Sequence, residues 1–238
     1  MDIQGYPPLG KNAFEARANV SDRTLQHELE AMEIKAAFHT VFRKSVKHSI
    51  FRFHTWPRLY EFTVFRDAFG REVPVKPDGF ITIHEKEEGT QGYTHDFFLE
   101  VDRSYESLDL LVEKSLNYLE FYKSGGFAAR NGGTREQFKD FPFRVLMVFM
   151  SAERRNNVAE RLLQSNPPIL THTWLTTLAE AKTGLRDAIW LQPKDYRDVT
   201  RGTEFDTEKP SRSFAYRRQT ERDLFIEHNV KKMRLLED

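Results

Sequence analysis

The chain has no cysteine, which excludes disulfides, thiolate metal sites and a cysteine nucleophile. It also has no net charge, because thirty-six basic residues balance thirty-six acidic ones. A protein that coats duplex DNA is normally strongly basic, so this balance argues against a purely electrostatic binder. It leaves room for an enzyme with a local basic groove around an acidic centre. No apolar run approaches the roughly 20 residues of a membrane span, and the polar N-terminus lacks the apolar core of a signal peptide. The expectation is a soluble, cytoplasmic chain with no membrane partner. Charged residues make up 30% and hydrophobic ones 39% of the 238 positions, ordinary values for a globular protein with a sizeable core. What is plentiful is phenylalanine, with twenty copies. Large aromatics bury much apolar area each, so a Phe-rich core is the favoured reading over a stacking surface for unpaired bases.

The opening MDIQGYPPLGKN reads as a lead-in or linker over residues 1–20. A helix is expected from Ser21 or Asp22 to about Lys44, with Leu25, Leu29, Met32 and Ala36 at helical spacing. Short β-like stretches follow over Ser49–Thr55 and Tyr60–Phe65, with a turn at Asp67–Arg71. Val73–Val75 then leads into KPDGFITI, and a hairpin loop at Gly89–Gly92 precedes the buried-strand candidate THDFFLEVDR. Ser107–Tyr122 is the clearest helix, striped by Leu108, Leu111, Val112, Leu116 and Leu119. Gly125–Asp140 is rich in Gly, Asn and charge and is expected to be a mobile loop. FRVLMVFMS is a central-strand candidate, Arg154–Leu163 a helix, THTWLTTLAEA another helix and AIWLQP a short late strand. Residues 196–238 read as a polar tail, loosely ordered over RDVTRGTEFDTEKPSRSFAYRR, closed by a helix from about Thr220 to Leu236. Alternating strands and helices indicate one mixed α/β domain over residues 21–195 with a C-terminal helical extension.

Three carboxylates fall in neighbouring strand candidates: Asp78 in KPDGFI, then Glu100 and Asp102 in FFLEVDR. Side chains alternate along a strand, so Glu100 and Asp102 point the same way while Leu99 and Val101 point to the other face. Two acids at the end of an apolar strand are costly unless a cation offsets them. If the two strands are neighbours, all three acids converge on one point. Oxygen-only ligands suit Mg²⁺ or Mn²⁺ rather than zinc. Gly79, next to Asp78, allows a close backbone approach. Lys114 and Tyr118, four residues apart on the following helix, share a face that can aim at the same pocket. The plainer reading stands beside this one: Glu-x-Asp at a strand end is often solvated or ion-paired, here with something like Arg103, and Pro-Asp-Gly is a common turn.

The order V-K-P-D-G-F, F-F-L-E-V-D-R-S, then V-E-K-S-L-N-Y-L-E-F-Y resembles the signature of the replication-relaxation family. LQHELEAMEI is similar to the family's His-containing helix, and FRVLMVFMSAERRNN to its following strand-helix pair, so the likeness spans roughly Thr24–Pro193. It implies a PD-(D/E)xK restriction-endonuclease-like fold, a mixed central sheet flanked by helices, related to plasmid mobilisation relaxases that nick DNA. On that resemblance Asp78, Glu100 and Asp102 would hold the divalent ion, which activates water and stabilises transition-state charge. Lys114 would take the role of the motif's lysine, moved onto a helix, since Asp102 stands where D/E-x-K has lysine. Glu28 or Glu30 would supply a further acid from the first helix; both read equally as surface residues, with surface the favoured reading for Glu30. His27 reads as a packed histidine, and Tyr118 as a residue that packs or orients a phosphate rather than the attacking nucleophile. Relatives typically carry an N-terminal winged-helix domain, for which there is no room before Ser21; a truncated unit or another way of finding DNA would account for that.

Arg103, Lys123, Arg130, Arg135, Arg154 and Arg155, with Arg217, Arg218, Lys231 and Lys232 in the tail, are the basic residues available to touch phosphates, against the plain reading of solvated surface. The loop Gly125–Gly133 is the segment expected to meet DNA. The leading expectation is a Mg²⁺- or Mn²⁺-dependent DNA endonuclease or nickase of a plasmid, phage or mobile element. A non-enzymatic DNA-binding module on the same fold is the alternative, favoured by zero net charge and the missing motif lysine. A protein-interaction domain in replication control or in countering host defences is the third. Homodimerisation and replication or mobilisation partners stay open.

Overall fold

The computed structural model describes residues 20–56, 59–65, 72–206 and 217–236. The expected lead-in over residues 1–20, apart from Val20, and the turn at Asp67–Arg71 fall outside them. The side chains of Arg217 and Arg218 do so as well. In chain order the elements are α1 (Asp22–Phe42), β1 (His48–Thr55), β2 (Phe62–Phe65), β3 (Glu72–Val75), β4 (Gly79–Glu85) and β5 (Tyr93–Asp102). Then come α2 (Leu108–Lys123), α3 (Gly126–Arg130), a 3₁₀ helix at Arg135–Asp140, β6 (Phe143–Phe149) and α4 (Ala152–Leu163). The chain ends with β7 (Thr173–Thr177), α5 (Leu178–Thr183), α6 (Pro193–Thr200) and α7 (Arg217–Asn229). Helix starts follow local chemistry. The Ser21 hydroxyl accepts the Thr24 amide at 3.2 Å and the Ser107 hydroxyl accepts the Leu110 amide at 3.2 Å, each satisfying a free first-turn N–H.

Five strands form one sheet in the order β1-β4-β5-β6-β7, and β2 pairs with β3 apart from it. The pairs β1-β4 and β4-β5 are antiparallel, while β5-β6 and β6-β7 are parallel. The chain therefore has the expected mixed α/β architecture, with helices on both faces of a mixed sheet. The period of two then sorts the core into halves. Phe97, Leu99 and Val101 of β5, with Ile81, Leu146 and Val148, pack under Ala31, Ile34 and Phe38 of α1. Phe98, Val145, Met147 and Phe149 pack on the opposite side under α2, α4, α6 and α7. That second half is where phenylalanine concentrates: Phe98 meets Phe80, Phe127, Phe143 and Tyr118 with ring centroids 4.9–5.9 Å apart. The Phe-rich core is thus observed as such, and tilted or edge-on rings are the favoured geometry.

Four expectations need correction. Gly125–Asp140 is not a loop but two short helical turns. Gly125 has φ +69°, and a side chain there would strike the Arg135 backbone at 2.3 Å. Thr134 and Gln137 then cap the second turn reciprocally. THTWLTTLAEA is a strand followed by a helix: β7 lies beside β6, and Thr177 with Glu180 forms the box that starts α5. AIWLQP makes only single bridges, Leu191 to Leu175 and Trp190 to Met233. The last helix starts earlier and ends sooner than expected, at Asn229.

α7 docks on its own domain. Ile226 is fully buried in the Phe-rich half of the core. Arg155 of α4, also fully buried, is held by Asn156 at 2.9 Å, Glu180 at 3.4 Å and Glu227 of α7. Lys232 in turn bonds Glu180 at 2.5 Å and Glu227 at 2.7 Å. Removing one member of a buried ion cluster strands the others, at roughly 3–5 kcal/mol. Arg155→Ala is therefore expected to lower unfolding free energy by about that amount, read from urea titration; an unchanged midpoint would mean that the cluster does not hold α7.

Candidate functional site

From Phe97 onward β5 is buried on both faces, and its last residues change from apolar to acidic. Leu99 and Val101 enter the α1 side of the core, while Glu100 and Asp102 turn to the α2 side, as alternation requires. Asp78 immediately precedes β4, whose Gly79 pairs with Leu99. It stands at the sheet end, where both helical layers meet. Its Oδ2 accepts the Val101 amide at 2.7 Å and its Oδ1 lies 2.8 Å from Nε2 of His27 on α1. A side chain at Gly79 would crowd the His54 carbonyl, Leu99 and Phe53 at 3.3 Å each, so the small residue lets β4 sit tightly where Asp78 begins.

Glu100 is only 3% exposed. Tyr118 donates its hydroxyl to Oε1 at 2.5 Å and Lys114 donates to Oε2 at 3.2 Å. Lys114 also reaches Glu106 at 2.8 Å. Lys114 and Tyr118 thus share the α2 face that their spacing predicts. Burial pushes the Glu100 carboxyl up to about 7; the neighbouring Asp78 carboxylate adds to this, and Lys114 opposes it. Burial works against the Lys114 ammonium, but Glu100 and Glu106 outweigh it and raise its pKa. Burial, then Glu100, push the Tyr118 phenol well up. Tyr118 is therefore a sealed hydrogen-bond donor that positions Glu100, and its hydroxyl is closed to a phosphate. The Asp78 hydrogen bond raises the His27 imidazole above its ordinary value, against burial.

Asp102 leaves this group. Arg154 Nε donates to its Oδ2 at 2.7 Å, and the same guanidinium also bonds the Glu106 carbonyl. Arg154, expected at DNA, thus neutralises the strand end. Arg103 instead pairs with Glu30 of α1 at 3.0 Å, both side chains 12% exposed, so Glu30 is not the free surface acid expected. Arg155 is sealed in the ion cluster under α7, which corrects its expected place on the DNA surface. Arg130 covers the Tyr60 ring at 5.2 Å and donates to the Glu61 carbonyl, and Arg135 donates to the Ser124 carbonyl at 3.0 Å. Lys123 ends α2, roughly 14 Å along its axis from Lys114. Glu28 lines a cleft together with His27 and Asp78.

Among the described residues no group of three or more His, Asp or Glu side chains is disposed to hold a metal ion, so the structure builds no three-carboxylate cage. The donor chemistry present still fits Mg²⁺ or Mn²⁺: Asp78 and Glu100 bring two hard oxygen ligands close enough for one to raise the pKa of the other. Mg²⁺ commonly takes one or two carboxylates and keeps several waters. The histidine at Asp78 is the feature missed from sequence. Its signal is His27 in the helix that resembles the family's, but nothing local shows an aspartate 51 positions away.

The molecule is a mixed α/β domain that gathers two carboxylates, a lysine, a tyrosine and a histidine where two antiparallel strands end under helices of opposite layers. A family model described as replication-relaxation matches residues 5–136, more than half of the chain, and the chain belongs to that family. The match takes in α1 through α2 and stops before β6, so the likeness of FRVLMVFMSAERRNN lies beyond it. No curated protein and no solved structure matches. Among the described residues no helix is long and apolar enough to cross a membrane.

Glu100 carries a stability signature. Its folded pKa of about 7 exceeds its ordinary 4.5, so folding favours the protonated carboxyl. That contribution is present in acid and is lost as pH rises from about 4.5 through about 7. The unmodified protein is expected to lose stability relative to Glu100→Gln between pH 5 and pH 8, measured as urea midpoints; parallel pH profiles would mean that Glu100 is ionised throughout.

Proposed function

We propose that this chain is a Mg²⁺- or Mn²⁺-dependent DNA endonuclease or nickase, of PD-(D/E)xK type, serving a plasmid, phage or mobile element. The observation that carries the reading is Glu100: a buried carboxylate beside a second one, Asp78, with Lys114 on its free oxygen. A core gains nothing from such a group, since an apolar residue of similar size is usually at least as stable there. Clustered carboxylates with displaced pKa values are a mark of chemistry. The family's name ties the chain to replication, and the acids at the ends of adjacent sheet strands support the nuclease-like fold.

A bound divalent ion supplies Lewis acidity toward the phosphodiester and lowers the pKa of water. The chain's own residues supply the rest. Asp78 and Glu100 would be the residues that hold the ion. The Val101 amide fixes one oxygen of Asp78, and Tyr118 fixes one oxygen of Glu100, so both carboxylates are oriented before substrate arrives. Lys114 stays protonated, placing a positive charge where a pentavalent phosphate would gain negative charge. His27, with its pKa raised by Asp78, is positioned to hold or pass a proton at the cleft mouth. Asp102 acts with Arg154 to keep the strand end in place.

One observation favours the non-enzymatic module: Lys114 and Arg154 already neutralise Glu100 and Asp102 without any ion. Incubation with supercoiled plasmid and with single-stranded DNA, in Mg²⁺, Mn²⁺ or chelator, separates the two. Metal-dependent cleavage that falls about 100-fold or more in Asp78→Ala, Glu100→Gln and Lys114→Met is the expected result. DNA binding without cleavage, unchanged in all three variants, would leave the binding module.

A further inference from the structure

α1 uses one side for the core, burying Ala31, Ile34, Phe38 and Phe42 against the sheet. On another side it leaves Leu25, Leu29 and Met32 47%, 56% and 49% exposed. These three follow helical spacing and form a stripe. Opposite them stands Trp56, 37% exposed, just after β1. Between stripe and tryptophan is a cavity of about 430 Å³, within the range of small-molecule and cofactor sites. Its walls are chiefly apolar and its two ends are not. Toward one end it is lined by His27, Glu28 and Asp78, so the cavity shares Asp78 with the carboxylate cluster. Lys35 lies at the other, roughly 12 Å further along α1. Among the described residues Lys35 has no carboxylate partner; its one hydrogen bond is to Thr55 at 3.5 Å.

We propose that this cavity takes an unstacked nucleobase of single-stranded DNA, laid against Trp56 and the aliphatic stripe, with Lys35 on a neighbouring phosphate. The assignment rests on the nucleic-acid reading of the Asp78–Glu100 site and names its substrate class. If a phosphate is attacked beside His27 and Asp78, the flanking nucleotide enters the adjoining space, and that space is apolar with an aromatic wall. Bases stack on aromatic and aliphatic groups irrespective of sequence, and a base removed from its stack is the form such a pocket admits. The charged ends also select against other occupants. A helix of a second copy or an apolar peptide would cover the stripe but leave the Lys35 ammonium without an anion. A nucleotide chain brings a phosphate to it.

Trp56 provides the readout, because Trp174 and Trp190 are 9% and 0% exposed. The full chain is titrated in chelator, so that no cleavage occurs, with a thymidine oligonucleotide, an abasic oligonucleotide of equal length and a duplex. The expected result is tryptophan quenching by the thymidine strand alone and about tenfold weaker binding of the abasic strand. Trp56→Leu abolishes the quenching while its urea midpoint shows that it stays folded. Lys35→Gln lowers the slope of log affinity against log salt by about 0.7, the loss of one phosphate contact on a single strand. Equal affinity for abasic and base-bearing strands without quenching overturns the base pocket. A fluorescence change that tracks protein concentration without DNA also overturns it and assigns the stripe to a second copy. Because cleavage is assayed separately, quenching without cleavage sinks only the nuclease reading, and cleavage without quenching sinks only the base pocket.

Discussion

A carboxylate cannot be left ionised inside a protein without something to answer it, and the placement of Glu100 makes the rest of the site follow from that constraint. Strand alternation drives the residue into the layer beneath α2. There the helix must present a cation and a donor at its own spacing of four, and Lys114 and Tyr118 do so. Asp78, fixed to the Val101 amide from the adjacent strand, adds a second negative charge close by. The outcome is a carboxyl near neutrality in titration, held in one orientation by groups that cannot themselves change protonation at ordinary pH.

Much of the fold could be read from the chain because the signals were local. Ser21 and Ser107 cap their helices, the apolar run of FRVLMVF forms the central strand, and the alternation in FFLEVD divides the core. THTWLTTLAEA reads as one helix only if its first half is taken with the LAEA that follows, whereas the alternating threonines of that half suit a strand. The neighbouring β6 makes it a strand. The glycines at 125–133 suggested freedom, yet at Gly125 the residue is demanded by close approach of the chain to itself.

The site was legible in its residues and not in its pairings. Asp78, Glu100, Lys114 and Tyr118 were found by spacing and order, and they meet. Which cation answers which acid depends on contacts across the fold: Arg154 to Asp102 over 52 positions and Arg103 to Glu30 over a long separation. Charge runs read as nucleic-acid contacts turned partly inward for the same reason. A chain with balanced charge can commit its cations to its own acids and retain little net attraction for DNA at long range.

Arg155 sits one residue from Arg154, which anchors the acidic strand end, yet its own partners include Glu227, 72 positions further along the chain. During synthesis the helix bearing both arginines is complete long before that glutamate exists. Until then a guanidinium destined for the interior lacks one of its counter-charges. Bracing of the helix that carries Arg154 and Arg155 thus waits on a residue 72 positions downstream of Arg155, so α4 and α7 gain their full stability together.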